Sequence, residues 1–197
     1  MDVPSDPSEF FPWLKQESEA LWKDNVLDDA IYGFQIQPGT RWNEGFSDDE
    51  ISSFENEMGF EFPQIYKLFS KTMNGTDLDT INLYGRSGEP ARYAAGYYGY
   101  PRDIDKVKDK IAWVYESCNV TPEDIEARQI PHILPIVSHR FLVIDRCASN
   151  PVLSMYGDDI IVYASNLVAF LANDIFNEHL PEEGLLPSIE VSFWLDF

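Results

Sequence analysis

Trp42-Asn43-Glu44-Gly45-Phe46-Ser47-Asp48-Asp49-Glu50-Ile51, continued by Phe54-Glu55 and Met58-Gly59-Phe60-Glu61-Phe62-Pro63, is the stretch that decides the fold of this 197-residue chain. Ser47 stands three residues before Glu50, the spacing at which two side chains reciprocally satisfy the orphan amides of a helix start. Ile51, Phe54 and Met58 then recur at helical spacing, which buries one face and leaves Glu55 and Glu57 mostly in water. Gly59 ends the helix. Pro63 opens a second helix, where its missing N–H costs little, and Ile65, Tyr66, Leu68, Phe69 and Met73 form the apolar set up to Asn74-Gly75, read as its stop. The result is an αα-hairpin whose connector, Gly59-Phe60-Glu61-Phe62, places two phenylalanines between the helices.

Working outward, the N-terminal side has a short amphipathic helix through Trp13, Leu14, Glu17, Ala20, Leu21 and Trp22, and a short strand, Tyr32 to Gln37, ending at Pro38-Gly39. On the other side lie a strand from Thr80 to Tyr84 and a Gly- and Tyr-rich stretch, Gly85 to Tyr100, read as loop or edge strand. A solvated helix from about Asp103 to Ser117 carries Lys106, Lys108 and Lys110, and Thr121-Pro122-Glu123-Asp124 caps a further turn. From Ile133 the character becomes β: Ile133–Val137, Phe141–Ile144, Val152–Tyr156 and Ile160–Tyr163, the last two joined by Gly157-Asp158, a dipeptide suited to a two-residue hairpin turn. Ser165 caps a final helix with Leu167, Val168, Leu171 and Ile175, and Ile189–Trp194 docks back as an apolar tail. One core is expected, with residues 1–40 as an extension packed on a domain spanning 41–197.

The bulk numbers bound the function. A hydrophobic fraction of 44% and an aromatic fraction of 14% are those of a packed interior. Against this, 34 acidic and 14 basic residues leave a net charge of −20. Such a field repels phosphate backbones and favours steered association with a basic protein surface. Acidity for solubility alone is the bland alternative. The excess is uneven: residues 1–60 hold 14 acids and 3 bases, 61–130 hold 11 and 9, and 131–197 hold 9 and 2. Cys118 and Cys147 lack C-x-x-C spacing, and neither an export signal nor a long apolar segment is visible, which points to a cytoplasmic protein with reduced thiols and no membrane partner.

Catalytic chemistry finds little support. His132, His139 and His179 have no i, i+4 pairing for a metal, Gly96-Tyr97-Tyr98-Gly99 lacks the glycine pattern of a phosphate cradle, and no nucleophile elbow occurs. No metal, cofactor or nucleic acid is expected, and the chain is read as no enzyme. Asp158 and Asp159 at a hairpin are turn residues before they are an acid–base pair. They join Asp77 and Asp79, after Asn74-Gly75, as candidates for a partner-binding surface. Tyr97 and Tyr98 are further candidates, because tyrosines on a Gly-rich segment beside Arg86, Arg92 and Arg102 offer contact area at low entropic cost. The alternative is that these rings simply cover the sheet.

The run from Trp42 to Ile51, with Phe54-Glu55, Met58-Gly59-Phe60, Phe62-Pro63, Tyr66, Phe69 and Asn74-Gly75, resembles the N-terminal signature of the SUKH superfamily of Smi/Knr-type domains. Trp42, Phe54, Gly59, Pro63, Phe69, Asn74 and Gly75 are then its framework positions, and the later strands and final helix extend the likeness over residues 40–180. The resemblance implies an α+β domain with a central, mainly antiparallel sheet flanked by helices, and no known catalytic centre. Its bacterial members are thought of mostly as immunity proteins that neutralise cognate toxins, many of them basic nucleases; fungal relatives act as interaction hubs in cell-wall signalling. The strong acidity favours the immunity role, with a toxin of basic surface as partner, over a regulatory scaffold.

Overall fold

The computed structural model describes residues 3–177 and 189–196. Along the chain run α1 (Pro7–Lys23), β1 (Phe34–Gln35), β2 (Trp42–Glu44), α2 (Asp48–Met58), α3 (Gln64–Thr72), β3 (Met73–Thr76), β4 (Thr80–Asn82) and β5 (Arg92–Ala94). These are followed by α4 (Ile104–Ser117), α5 (Pro122–Ala127), β6 (Ile133–Val137), β7 (Arg140–Val143), β8 (Val152–Tyr156), β9 (Asp159–Ala164) and α6 (Leu167–Phe176).

The capping box forms as the spacing requires: Ser47 Oγ accepts the Glu50 amide at 3.3 Å while Glu50 Oε2 accepts the Ser47 amide at 2.8 Å. Gly59 closes α2 in the left-handed region, with φ +79°. Of the two connector phenylalanines only Phe62 lies between the helices, 4.8 Å from Phe54 and 4.9 Å from Tyr66 by ring centroid. Phe60 turns away onto His132 at 4.7 Å. Glu55 and Glu57 are not free in water. Glu55 accepts the Phe62 amide at 2.6 Å and pairs with Lys67 at 2.8 Å, stitching α2 to α3, and Glu57 meets Lys108 of α4.

Asn74-Gly75 does not stop a helix. It lies inside β3, where Asn74 grips the main chain of Tyr100 from both sides: Nδ2 donates to its carbonyl at 2.6 Å and Oδ1 accepts its amide at 2.8 Å. Gly75 has φ +63°, and a Cβ there would sit 2.5 Å from the Gly99 nitrogen. The Asn-Gly pair therefore marks a close crossing of two backbones. At the front of α6 the cap is Asn166, whose side chain accepts the Ala169 amide at 3.0 Å, and not the expected Ser165.

Among the described residues all strand pairs are antiparallel, but the expected central sheet is divided into three sheets: β1-β4-β5, β2-β3 and the meander β6-β7-β8-β9. An isolated bridge, Tyr97 to Val137, links the first region to the third, with the Tyr98 amide donating to the Ile136 carbonyl at 3.0 Å. Helices pack on these sheets, α3 against β3, α4 against β6 and α6 against β9. Tyr156 faces Asp159 across the Gly157-Asp158 turn, with Gly157 at φ +65°.

The first helix starts earlier than its apolar spacing predicts, because Asp6 caps it by accepting the Ser8 amide at 2.8 Å and Pro7 takes the first helical position. Its buried face is Phe10, Phe11, Leu14, Ser18 and Trp22, so Leu21 is turned to solvent. That face packs on α3 and α6; the Trp42 indole N–H donates to Ser18 Oγ at 2.8 Å, and Phe11 meets Phe69 edge-on at 5.7 Å. The tail docks as expected: Trp194 is fully buried and its indole N–H donates to the Pro131 carbonyl at 2.8 Å.

Candidate functional site

On α4 the residues Lys106, Lys110, Trp113 and Ser117 follow one another at spacings of four, three and four, and so form one stripe along the helix. The stripe joins two features. At its N-terminal end Lys106 and Lys110 form a wall of a cleft of about 750 Å³ between the small sheet, the end of α1, α4, the β6–β7 turn and α6. At its C-terminal end Trp113 meets Tyr156 edge-on at 5.5 Å, and Ser117 lies under Gly157 at the hairpin tip.

The cleft floor is one face of the small sheet. Phe34 and Ile36 alternate along and beyond β1, and Thr80 faces Ala94 across the β4–β5 ladder. Phe34 stays 52% exposed on this face, and Tyr93, on the opposite face of β5, is 60% exposed at the edge. Asp79 and Asp174 also border the opening, so its charges are mixed.

Tyr97 closes the deep end. Its ring is 3% exposed, with its centroid 4.7 Å from that of Trp42, and its hydroxyl donates to Asp174 Oδ2 at 2.5 Å. Burial, then the neighbouring Asp174 charge, pushes the Tyr97 pKa well above the usual phenol range. The inward carboxylate of Asp174 loses hydration and its own pKa rises, against the pull of Tyr97 and Arg140. The residue is exposed at the rim, so the rise carries little weight for stability.

Asp103 lies just behind the cleft wall and is fully buried. Its carboxylate accepts from the Gly99 amide at 3.0 Å, from Arg102 at 2.6 and 3.0 Å, and from Lys106 at 2.9 Å. Burial alone would raise its pKa; the hydrogen bonds from Arg102, Gly99 and Lys106 outweigh it and hold the group below the usual carboxylate range. Nearby Tyr98, half-buried, is pushed up to about 12 by burial and by the Asp103 charge.

The structure thus sorts the residues singled out by sequence. Asp79, Tyr97 and Tyr98 share the cleft. Tyr97 belongs to the core and offers no open contact face, which corrects its reading as part of an adaptable loop: Gly96 and Gly99 are buried, and the segment threads between ladders. Asp77 is exposed beside the cleft and braces the neighbouring strand, accepting the Arg41 amide at 2.7 Å. Asp158 and Asp159 are exposed at the hairpin, at the far end of the α4 stripe. No continuous acidic face results from these positions, because Lys106 and Lys110 lie between them. Sequence reading missed Asp103, Asp174, Phe34 and Lys110; the Arg102-Asp103…Lys106 spacing was the available signal for the first.

His132, His139 and the two cysteines lie outside the cleft lining. His132 Nδ1 lies 2.8 Å from Asp145 Oδ2, and the same carboxylate accepts the His132 amide, a brace across the ends of β6 and β7. Burial lowers the His139 pKa, with Arg140 and Lys110 acting in the same direction. Burial raises both thiol pKa values, the opposite of what a nucleophile needs. His179 lies outside the described residues. Among the described residues no group of His, Cys, Asp and Glu is placed to hold a metal ion, and no helix is long and apolar enough to cross a membrane.

No curated protein and no solved structure matches the chain. The model of the SMI1 / KNR4 family (SUKH-1) matches residues 45–173, from the glycine before the capping box to the last helix. With its capped hairpin, antiparallel ladders and closing helix, the chain belongs to the SMI1 / KNR4 family (SUKH-1).

Proposed function

We propose that this chain is a non-enzymatic, cytoplasmic binding protein that neutralises a cognate toxin by occluding a basic surface on it. The family placement supports a protein-interaction role, and the observation that carries the finer reading is the distribution of charge. The net charge is −20, and many of the few cations are consumed internally: Lys67 by Glu55, Lys71 by Asp48, Arg86 by Asp29, Arg146 by Glu126. The remaining acids project a field that speeds encounter with a cationic partner. Asp77 and Asp79 near the cleft and Asp158 and Asp159 at the hairpin bracket the contact surface, with Tyr98 between them.

Co-expression with the product of the adjacent gene, followed by stopped-flow association, tests this. Reversing Asp77, Asp79, Asp158 and Asp159 to Lys is expected to slow association roughly tenfold at low salt and to flatten its salt dependence, with little change in dissociation. Unchanged association in that variant would refute the surface assignment. Failure of the adjacent product to bind, with several unrelated partners bound instead, would favour a regulatory scaffold.

A further inference from the structure

The cleft carries three independent features that suit one kind of occupant. The first is an open strand edge. β5 is the outer strand of its sheet, and among the described residues Arg92–Ala95 make no backbone–backbone hydrogen bond beyond their pairing with β4, the Ala94 carbonyl also accepting Thr80 Oγ1 at 2.9 Å. Tyr93 and Ala94 are adjacent in β5, yet both border the cleft, as does Ala95 just past the strand. Alternation would allow only every second residue if a sheet face alone bordered it, so the edge itself lines the opening.

The second feature is the apolar floor, where Phe34 is more than half exposed; Tyr93, which pairs with Ile81 and Gln35, lies on the other face and reaches the opening at the edge. The third is a cation without a counter-ion. Lys106 is committed to Asp103 at 2.9 Å, whereas Lys110 meets no carboxylate among the described residues and lies 5.6 Å from the Trp113 ring centroid. Partial burial depresses the Lys110 pKa, the mark of an amine short of solvation.

We propose that the cleft receives an extended segment of the partner as an added strand on β5, with an apolar side chain on Phe34 and an acidic side chain on Lys110. Main-chain hydrogen bonds supply affinity in this mode, and alternate side chains supply register. The acidic contact is local, and a segment of this kind can project from a partner whose remaining surface is basic. The inference rests on the protein-binding reading above and specifies what enters the site.

Random dodecapeptides displayed on phage and selected on the full chain provide the probe. The selected peptides should alternate apolar residues and share one Asp or Glu, and a synthetic copy should shift the backbone amide resonances of Arg92–Ala95. Lys110→Gln, or the matching amide in the peptide, should each weaken binding roughly tenfold and together little more than either alone, since the two changes remove one contact. N-methylation of alternate peptide amides should weaken it at least as much. Recovery of no binders, enrichment of Lys or Arg, indifference to Lys110→Gln, or shifts confined to the hairpin would each overturn the proposal. Toxin binding that survives Lys110→Gln and Tyr93→Ala but falls with the hairpin charge reversals would overturn the cleft alone and leave the protein-binding reading standing.

Discussion

Replacing Asp103 by Asn keeps the shape of the side chain and removes one buried charge. The carboxylate takes four hydrogen bonds, three of them from the cations Arg102 and Lys106, and Arg102 in turn donates to the Thr76 carbonyl at 2.6 Å, so the group ties α4 to β3. An amide has one accepting oxygen and would turn an N–H₂ toward a cation. Charged hydrogen bonds contribute about 1.5–3 kcal/mol each, and about 3–5 kcal/mol is lost when a fully buried pair is broken. Arg102 and Lys106 are 41% and 54% exposed and can rehydrate. That discount brings the expected loss to about 2–3 kcal/mol. With a urea slope of about 2 kcal/mol per molar, the midpoint falls by about 1 M.

The pH dependence has a definite sign. The folded pKa of Asp103 is depressed, so its contribution is complete above the unfolded value of about 3.9 and disappears as pH falls through the folded pKa. The gap between wild type and Asp103→Asn should therefore be full at about pH 7 and shrink below about pH 4. Urea melts at both pH values decide it. Equal midpoints at neutral pH, or a gap that does not narrow in acid, would refute the reasoning.

Phe54 is 4% exposed, stacks on Tyr100 at 4.4 Å and meets Phe62 edge-on, so Phe54→Ala should cost about 3–5 kcal/mol, whereas Glu57→Gln, which loses a half-exposed pair with Lys108, should cost under about 1 kcal/mol. Comparable urea midpoints for these two variants would show the hairpin faces to be misassigned. Gly75→Ala should destabilise more than typical surface changes of about 0.5 kcal/mol and is expected to prevent accumulation of folded protein, since its Cβ would strike the Gly99 backbone; a thermal midpoint near that of wild type would refute this crossing.

Local signals carried most of the fold. The Ser47–Glu50 box, the Gly59 stop and the Gly157-Asp158 turn are each set by backbone groups within a few residues, so their chemistry is written in adjacent letters. Features set by distant partners were not legible. Asn74-Gly75 reads as a helix stop on local propensity, and only the approach of residues 97–100 makes it a strand that needs a side chain without bulk at position 75. Tyr97 has the composition of a binding loop, and only Trp42 and Asp174 turn it into core. The cleft combines elements from opposite ends of the chain, α1 and α6 with β5 and α4, and no spacing in the sequence encodes that meeting.

The division of the sheet into separate ladders has a consequence for motion. β6 to β9 pair in sequence order, so the meander closes through short loops and can persist on its own hydrogen bonds. Among the described residues, the segment that follows the small sheet reaches it through the isolated bridge at Tyr97 and Val137 and the adjoining Tyr98–Ile136 hydrogen bond, beside the cleft. The two halves form a seam that can part by losing few bonds, and sub-global opening starts where such bonds are fewest. Amide exchange should accordingly be fast at Arg92–Ala95 and slow at Phe141–Val143, so that the opening breathes against a wall that does not.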